Sequence, residues 1–174
     1  MITPRTEVPD FSLDLLSGGT WSLSDQSPEN FTMVVFYRGY HCPICNKYLS
    51  GLNKLADGLK ERGINLIVAS SDTAERAQLA RNEWAVDNLE IGYGLTIEDA
   101  RKIGLFVSNG IGTTSIGVEE PEVFSEPGLF LIRPDQTLYF SDIQTMPFIR
   151  PDLSSLLANL DFIMSKGYPA RGEA

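Results

Sequence analysis

Two short apolar runs, TMVVFY at 32–37 and INLIVAS at 64–70, bracket a stretch whose apolar residues recur at helical spacing. Neither run has a polar face, so each reads as a strand buried on both sides. Between them Cys45, Tyr48, Leu49, Leu52, Leu55, Ala56 and Leu59 fall on one side of a predicted helix, and Gly63 stands where a helix C-terminus favours glycine. A strand–helix–strand unit of this kind needs cover on both faces of its sheet.

The flanking segments supply that cover. TEVPDFSLDLLSGGTWSLSD (6–25) alternates apolar and polar residues about a Gly-Gly pair and predicts a hairpin. Asp72 with Glu75, and Thr96 with Asp99, have capping-box spacing and open two further helices. PGLFLIRPDQTLYFSDI (127–143) reads as two strands turning at Pro134-Asp135-Gln136. Asp152 caps a closing amphipathic helix with Leu153, Leu156, Leu157, Leu160, Ile163 and Met164 on one face. Residues 107–125 read as a long loop. The expected class is α/β, a mixed sheet with helices on both faces, and 174 residues are enough for one domain, 1–174, around one core.

A net charge of −9 without basic clusters argues against nucleic acid and anionic membranes as partners. No stretch is long and apolar enough to span a bilayer. The start, MITPRTEVPDF, lacks the apolar segment of a signal peptide, so a cytoplasmic address is expected, where structural disulfides are rare.

The chain has two cysteines, Cys42 and Cys45, three apart where the strand gives way to the helix. A structural metal site needs more donors than two thiols and the single histidine, His41. Two inert core thiols are one alternative. The redox reading explains more. With Cys42 at the N-cap and Pro43 at the first helical position, a Cys42 thiolate can accept from backbone N–H groups, and the helix N-terminus lowers its pKa. Cys45 lies one turn inside, close enough to form a small disulfide and expected to be the less exposed thiol. His41 could donate to the thiolate or act as an acid, and Arg38 is a permanently charged helper. GYG (92–94) and GIG (110–112) lack the dinucleotide-binding spacing and read as turns, so no cofactor is expected.

VPDFSL, WSLSD, VVFYRGYHCPIC and PGLFLI, in this order, resemble the peroxiredoxin (alkyl hydroperoxide reductase C and thiol-specific antioxidant, AhpC/TSA) branch of the thioredoxin-fold superfamily, in particular its C-x-x-C-containing group. The resemblance implies a thioredoxin-like fold with an added N-terminal hairpin. In the family pattern P-x-x-x-[TS]-x-x-C, Cys45 takes the peroxide-attacking position, Cys42 replaces Thr or Ser, and Arg38 replaces Pro. One family arginine falls on Pro127 and another on Arg150. In the thioredoxin pattern Cys42 instead is the attacking thiol, Pro127 matches a cis-proline facing the dithiol, and Val35 replaces a buried aspartate. Cys42, Cys45, Arg38, His41 and Arg150 are thus the expected catalytic residues, with Tyr37, Pro43 and Pro127 facing the substrate.

The resemblance implies a peroxide or a disulfide as substrate and a thioredoxin-like or glutathione-type reductant. It leaves a homodimer open. Reduction of peroxides through a Cys42/Cys45 dithiol cycle is the leading expectation. A protein-disulfide reductase and a non-catalytic binding module are the alternatives.

Overall fold

The computed structural model describes residues 2–174. The N-terminal hairpin forms as expected from β1 (Ser12–Leu15) and β2 (Thr20–Ser22). β3 (Phe31–Phe36) follows, then α1 (Pro43–Asn53), α2 (Ala56–Lys60) and β4 (Ile64–Ala69). The expected long helix is therefore two helices, divided at Lys54–Leu55. Gly63 lies beyond the second, at φ +66°, and a Cβ there would stand 2.7 Å from Glu29 Cβ, so this turn excludes a side chain.

α3 (Ala74–Trp84) is capped by Thr73, whose hydroxyl accepts from Arg76 N, and not by Asp72. β5 (Ile91–Tyr93) was missed in sequence because Gly92 and Gly94 resembled a turn; only Gly94, at φ +74°, is in a turn conformation. Gly92 packs against Leu13, whose Cδ1 would lie 2.8 Å from an added Cβ. α4 (Ile97–Lys102) is capped by Thr96 as expected. The predicted loop at 107–125 is instead an antiparallel excursion, with β6 (Val107–Asn109) paired to β7 (Val123–Ser125) and an isolated bridge between Thr113 and Glu119. β8 (Gly128–Ile132), β9 (Leu138–Ile143) and α5 (Leu153–Lys166), with Asp152 as its cap, complete the chain.

The main sheet has the order β2-β1-β5-β4-β3-β8-β9. β3 is central, parallel to β4 and antiparallel to β8, and every one of its residues is buried, which accounts for its lack of a polar face. Met33 and Val35 point into the core shared with α1, α2, α3 and α5. Val34 and Phe36 point into the opposite core, with α4 and the N-terminal residues Phe11, Leu13 and Trp21. This is a thioredoxin-like fold extended by an N-terminal hairpin. Its consequence for function is positional: β3 delivers the chain at Phe36 to a short loop, and the loop delivers both cysteines to the start of α1.

Candidate active site

Cys42 occupies the N-cap of α1 with extended backbone (φ −102°, ψ 103°), and Pro43 follows at the first helical position. Cys42 Sγ accepts from Cys45 N at 3.3 Å, and Cys42 N donates to Gly39 O at 3.1 Å. The helix start thus closes on the sulfur, as the spacing predicted. Both cysteines are free thiols.

Exposure departs from expectation. Cys42 is 1 % exposed and Cys45 0 %, so neither thiol is open to solvent. Their acidities do differ. The Cys42 pKa is lowered to about 7, first by the hydrogen bond from Cys45, then by the Cys45 N–H, Arg150 and Arg38, against the opposing pull of burial. Burial and the neighbouring Cys42 hold the Cys45 thiol well above its ordinary value. Two sulfurs this close titrate as a pair, so the first proton leaves near neutrality and the second is retained.

Arg150 reaches in from the segment between β9 and α5. Its Nη2 donates to Cys45 Sγ at 3.1 Å, its Nε donates to Pro147 O at 3.2 Å, and its guanidinium lies 5.0 Å over the Tyr48 ring. Tyr48 in turn donates to Pro151 O at 3.1 Å. Among the described residues no carboxylate forms an ion pair with Arg150. A groove of about 680 Å³ runs beside α1, lined by Ile44, Lys47, Tyr48, Phe148, Leu153 and Arg150 itself. One arginine therefore touches both the groove and the buried sulfur.

Arg38 is differently placed. Its Nη2 donates to Glu120 at 3.0 Å, Glu126 lies 3.4 Å from Nε, and the guanidinium sits 4.6 Å over Phe124. All three partners belong to the 107–126 excursion. Arg38 lends Cys42 a favourable field, but its charge is already paired with two carboxylates, Glu120 through a hydrogen bond and Glu126 by proximity alone.

The expected role of His41 is not supported. The imidazole is fully buried, tilted against Phe124 at 4.7 Å between ring centres, with Nδ1 3.3 Å from Arg76 Nη2 and no partner for Nε2. Burial, then Arg38 and Arg76, push its pKa down to about 4. It is neutral at physiological pH and is no acid there.

Tyr37 is also enclosed, packed edge-on against Trp84, and its unpartnered hydroxyl is held far from ionisation by burial. It presents no surface to a substrate. Pro43 is half-buried and Pro127 is buried. The expected cis bond at Pro127 is not found: among the described residues there is no cis peptide bond, and the thioredoxin register loses that support.

Sequence reasoning missed Asp72 and Arg76 as site residues. Asp72 accepts from Tyr40 N at 2.7 Å and from Arg76 Nε at 3.0 Å, directly behind the cysteine loop. Its position near a helix start made capping the simpler reading, and only the fold brings it against residues 39–41.

A sequence model of the AhpC/TSA family matches residues 4–141, most of the chain. The chain belongs to the AhpC/TSA family. That match ends before Arg150. Solved structures agree in fold. The Mycobacterium tuberculosis peroxidoxin BcpB is 18 % identical over 94 % of this chain and 99 % of its own, with a TM-score of 0.68. The reduced 2-Cys peroxiredoxin of Plasmodium vivax is 14 % identical over 97 % and 86 %, at 0.76. Peroxiredoxin 6 of Arenicola marina, as its C45S mutant, is 22 % identical over 97 % and 76 %, at 0.74. No curated protein sequence matches the chain significantly.

Proposed function

We propose that this AhpC/TSA protein is a peroxidase in which Cys45 attacks the peroxide and Cys42 resolves the product. The observation that carries the reading is the Arg150 Nη2 donor on Cys45 Sγ at 3.1 Å, with the guanidinium lining a groove and in no ion pair among the described residues. A preorganised donor beside the reacting atom is usually the largest single catalytic contribution.

The chemistry proceeds as follows. Once the first proton has left, near pH 7, the pair holds one proton between the two sulfurs. Transfer of that proton from Cys45 to the Cys42 thiolate leaves a Cys45 thiolate facing Arg150. It attacks one peroxide oxygen, the O–O bond breaks, and the leaving alkoxide, or hydroxide from hydrogen peroxide, takes a proton from solvent and departs as alcohol or water. Cys45 is now a sulfenic acid. The Cys42 thiol condenses with it, releasing water and forming a Cys42–Cys45 disulfide. An external dithiol, thioredoxin-like or glutathione-type, reduces that disulfide by exchange.

Single-turnover peroxide consumption with a sulfenic-acid trap tests this assignment. Cys42→Ser should consume one equivalent and accumulate trapped Cys45, whereas Cys45→Ser should consume none. Trapping on Cys42 instead would reverse the roles. One observation favours a second reading: the lower pKa of Cys42 suits attack on a protein disulfide. Insulin reduction by a parent protein that leaves hydrogen peroxide and organic hydroperoxides untouched would select that reading.

A further inference from the structure

We propose that Asp72 is a positioning residue for Cys42: its carboxylate, held by Tyr40 N and Arg76 Nε, pins the backbone at 39–41 and so keeps the Cys42 sulfur at the N-terminus of α1. The inference rests on the reading above only in that both use a Cys42 thiolate.

Four observations support it. The Asp72 side chain is 0 % exposed, and a buried carboxylate costs several kcal/mol unless its partners compensate. Helix capping does not explain the residue, because Thr73 caps α3. Gly39 has φ +132°, and a Cβ there would lie 2.6 Å from Asp72 Oδ1, so the loop and the carboxylate are fitted to one another. Finally, the same Gly39 accepts from Cys42 N through its carbonyl, so the segment that Asp72 grips is the one that closes the turn onto Cys42.

Arg76 extends the grip by one residue. While its Nε serves Asp72, its Nη2 lies 3.3 Å from His41 Nδ1 and donates to Glu119 O at 3.2 Å. Two residues one turn apart, at the start of one helix, therefore hold Tyr40 and His41, the pair immediately before Cys42. The other charged groups around this loop are Arg38, paired with Glu120 and Glu126, Arg150, engaged by Cys45, and Glu83, which accepts from the Tyr40 hydroxyl.

Positioning and charge have opposite signs here, which makes the proposal testable. Removing a negative charge should lower a nearby thiol pKa. Releasing the loop should raise it, because Cys42 loses its N-cap geometry. The measurement is the pH dependence of iodoacetamide alkylation at Cys42, read by mass spectrometry on the full chain. No peroxide is used, so a protein without peroxidase activity still reports.

Asp72→Ala should raise the apparent Cys42 pKa by about one unit, slowing alkylation at pH 6 roughly tenfold. Asp72→Asn keeps an oxygen able to accept from Tyr40 N and should show no rise. Gly39→Ala, which drives a methyl into the carboxylate, should follow Asp72→Ala, and it carries the test if Asp72→Ala does not fold. An unchanged or lowered pKa in Asp72→Ala, or in Gly39→Ala where that variant carries the test, overturns the proposal. So does an equal rise in Asp72→Asn.

Discussion

Two arginines stand beside the cysteines, and the segments around them treat them differently. The stretch after β9 presents Arg150 with a sulfur on one side and a groove on the other, and among the described residues no carboxylate pairs with it. The 107–126 excursion instead surrounds Arg38 with Glu120, Glu126 and Phe124. From sequence both arginines were expected catalytic residues, Arg38 as a charged neighbour of the thiols and Arg150 through the family resemblance. What separates them is prior occupation. The charge of Arg38 is already balanced by two buried carboxylates, while a guanidinium resting on a thiol keeps its charge available for a substrate oxygen.

The largest effect that would break this contrast is chemical. Cys45→Ser should reduce peroxide consumption to background in stopped-flow assays, since the sulfur facing Arg150 is gone. Residual turnover carried by Cys42 would mean that the Arg150 side is not where the chemistry occurs. Next, Arg150→Met should slow the peroxide-attack step by about 10²-fold, the scale for losing one preorganised donor. Arg38→Met should change that rate by less than about threefold, as expected of a cation that acts only through its field. Equal losses in the two variants would erase the distinction.

Arg38→Met should register in stability instead. It strands Glu120 and Glu126, both nearly inaccessible, and breaking such a buried ion pair costs about 3 kcal/mol. Urea unfolding should show that loss, and Glu120→Gln with Glu126→Gln in the same chain should recover most of it. A wild-type midpoint in Arg38→Met would mean the excursion is held by other contacts.

A smaller and graded effect concerns pH. His41 titrates near 4 when folded and near 6.5 when unfolded, because burial and two arginines oppose its charge. Below pH 6.5 the unfolded chain takes up a proton that the folded chain refuses. Stability should therefore fall as the pH drops from 6.5 to about 4 and level off below that, a total of about 3 kcal/mol from this group. His41→Gln should flatten that part of the urea midpoint–pH curve; an unaltered slope would assign it to the carboxylates. Smallest of all, Tyr40→Phe removes an exposed hydrogen bond to Glu83 and should cost less than about 0.5 kcal/mol, leaving the thiol pKa unchanged. A shifted thiol pKa would mean the loop is held by the Tyr40 side chain and not by its backbone N–H.

Much of the frame was legible beforehand, for reasons that act locally. β3 is buried along its whole length because helices on one face and α4 with the N-terminal residues on the other cover it. Cys42 and Pro43 announced a helix start through their own backbone preferences. Thr96 and Asp152 capped the helices they precede, as their spacing required. The failures share a different cause. Thr73 displaced Asp72 from its expected cap because Asp72 had partners 32 residues earlier in the chain, at Tyr40, that no local pattern records. The 107–125 segment lacked an alternating pattern because its strands are three residues each, and the stretch between them is fastened to the rest by Arg38 at Glu120 and Arg76 at Glu119.

What the amino-acid order determined by itself was the placing of two thiols at the head of a helix, since capping and proline preference depend on neighbours within a few residues. The tertiary structure decided how those thiols are used. It buried both of them, neutralised His41 between two arginines, and turned Arg38 toward Glu120 and Glu126. It also brought Arg150, 105 residues from Cys45, to within 3.1 Å of its sulfur. Electrostatics and burial depend on every group within several ångströms, and those groups come from segments that only the folded sheet brings together.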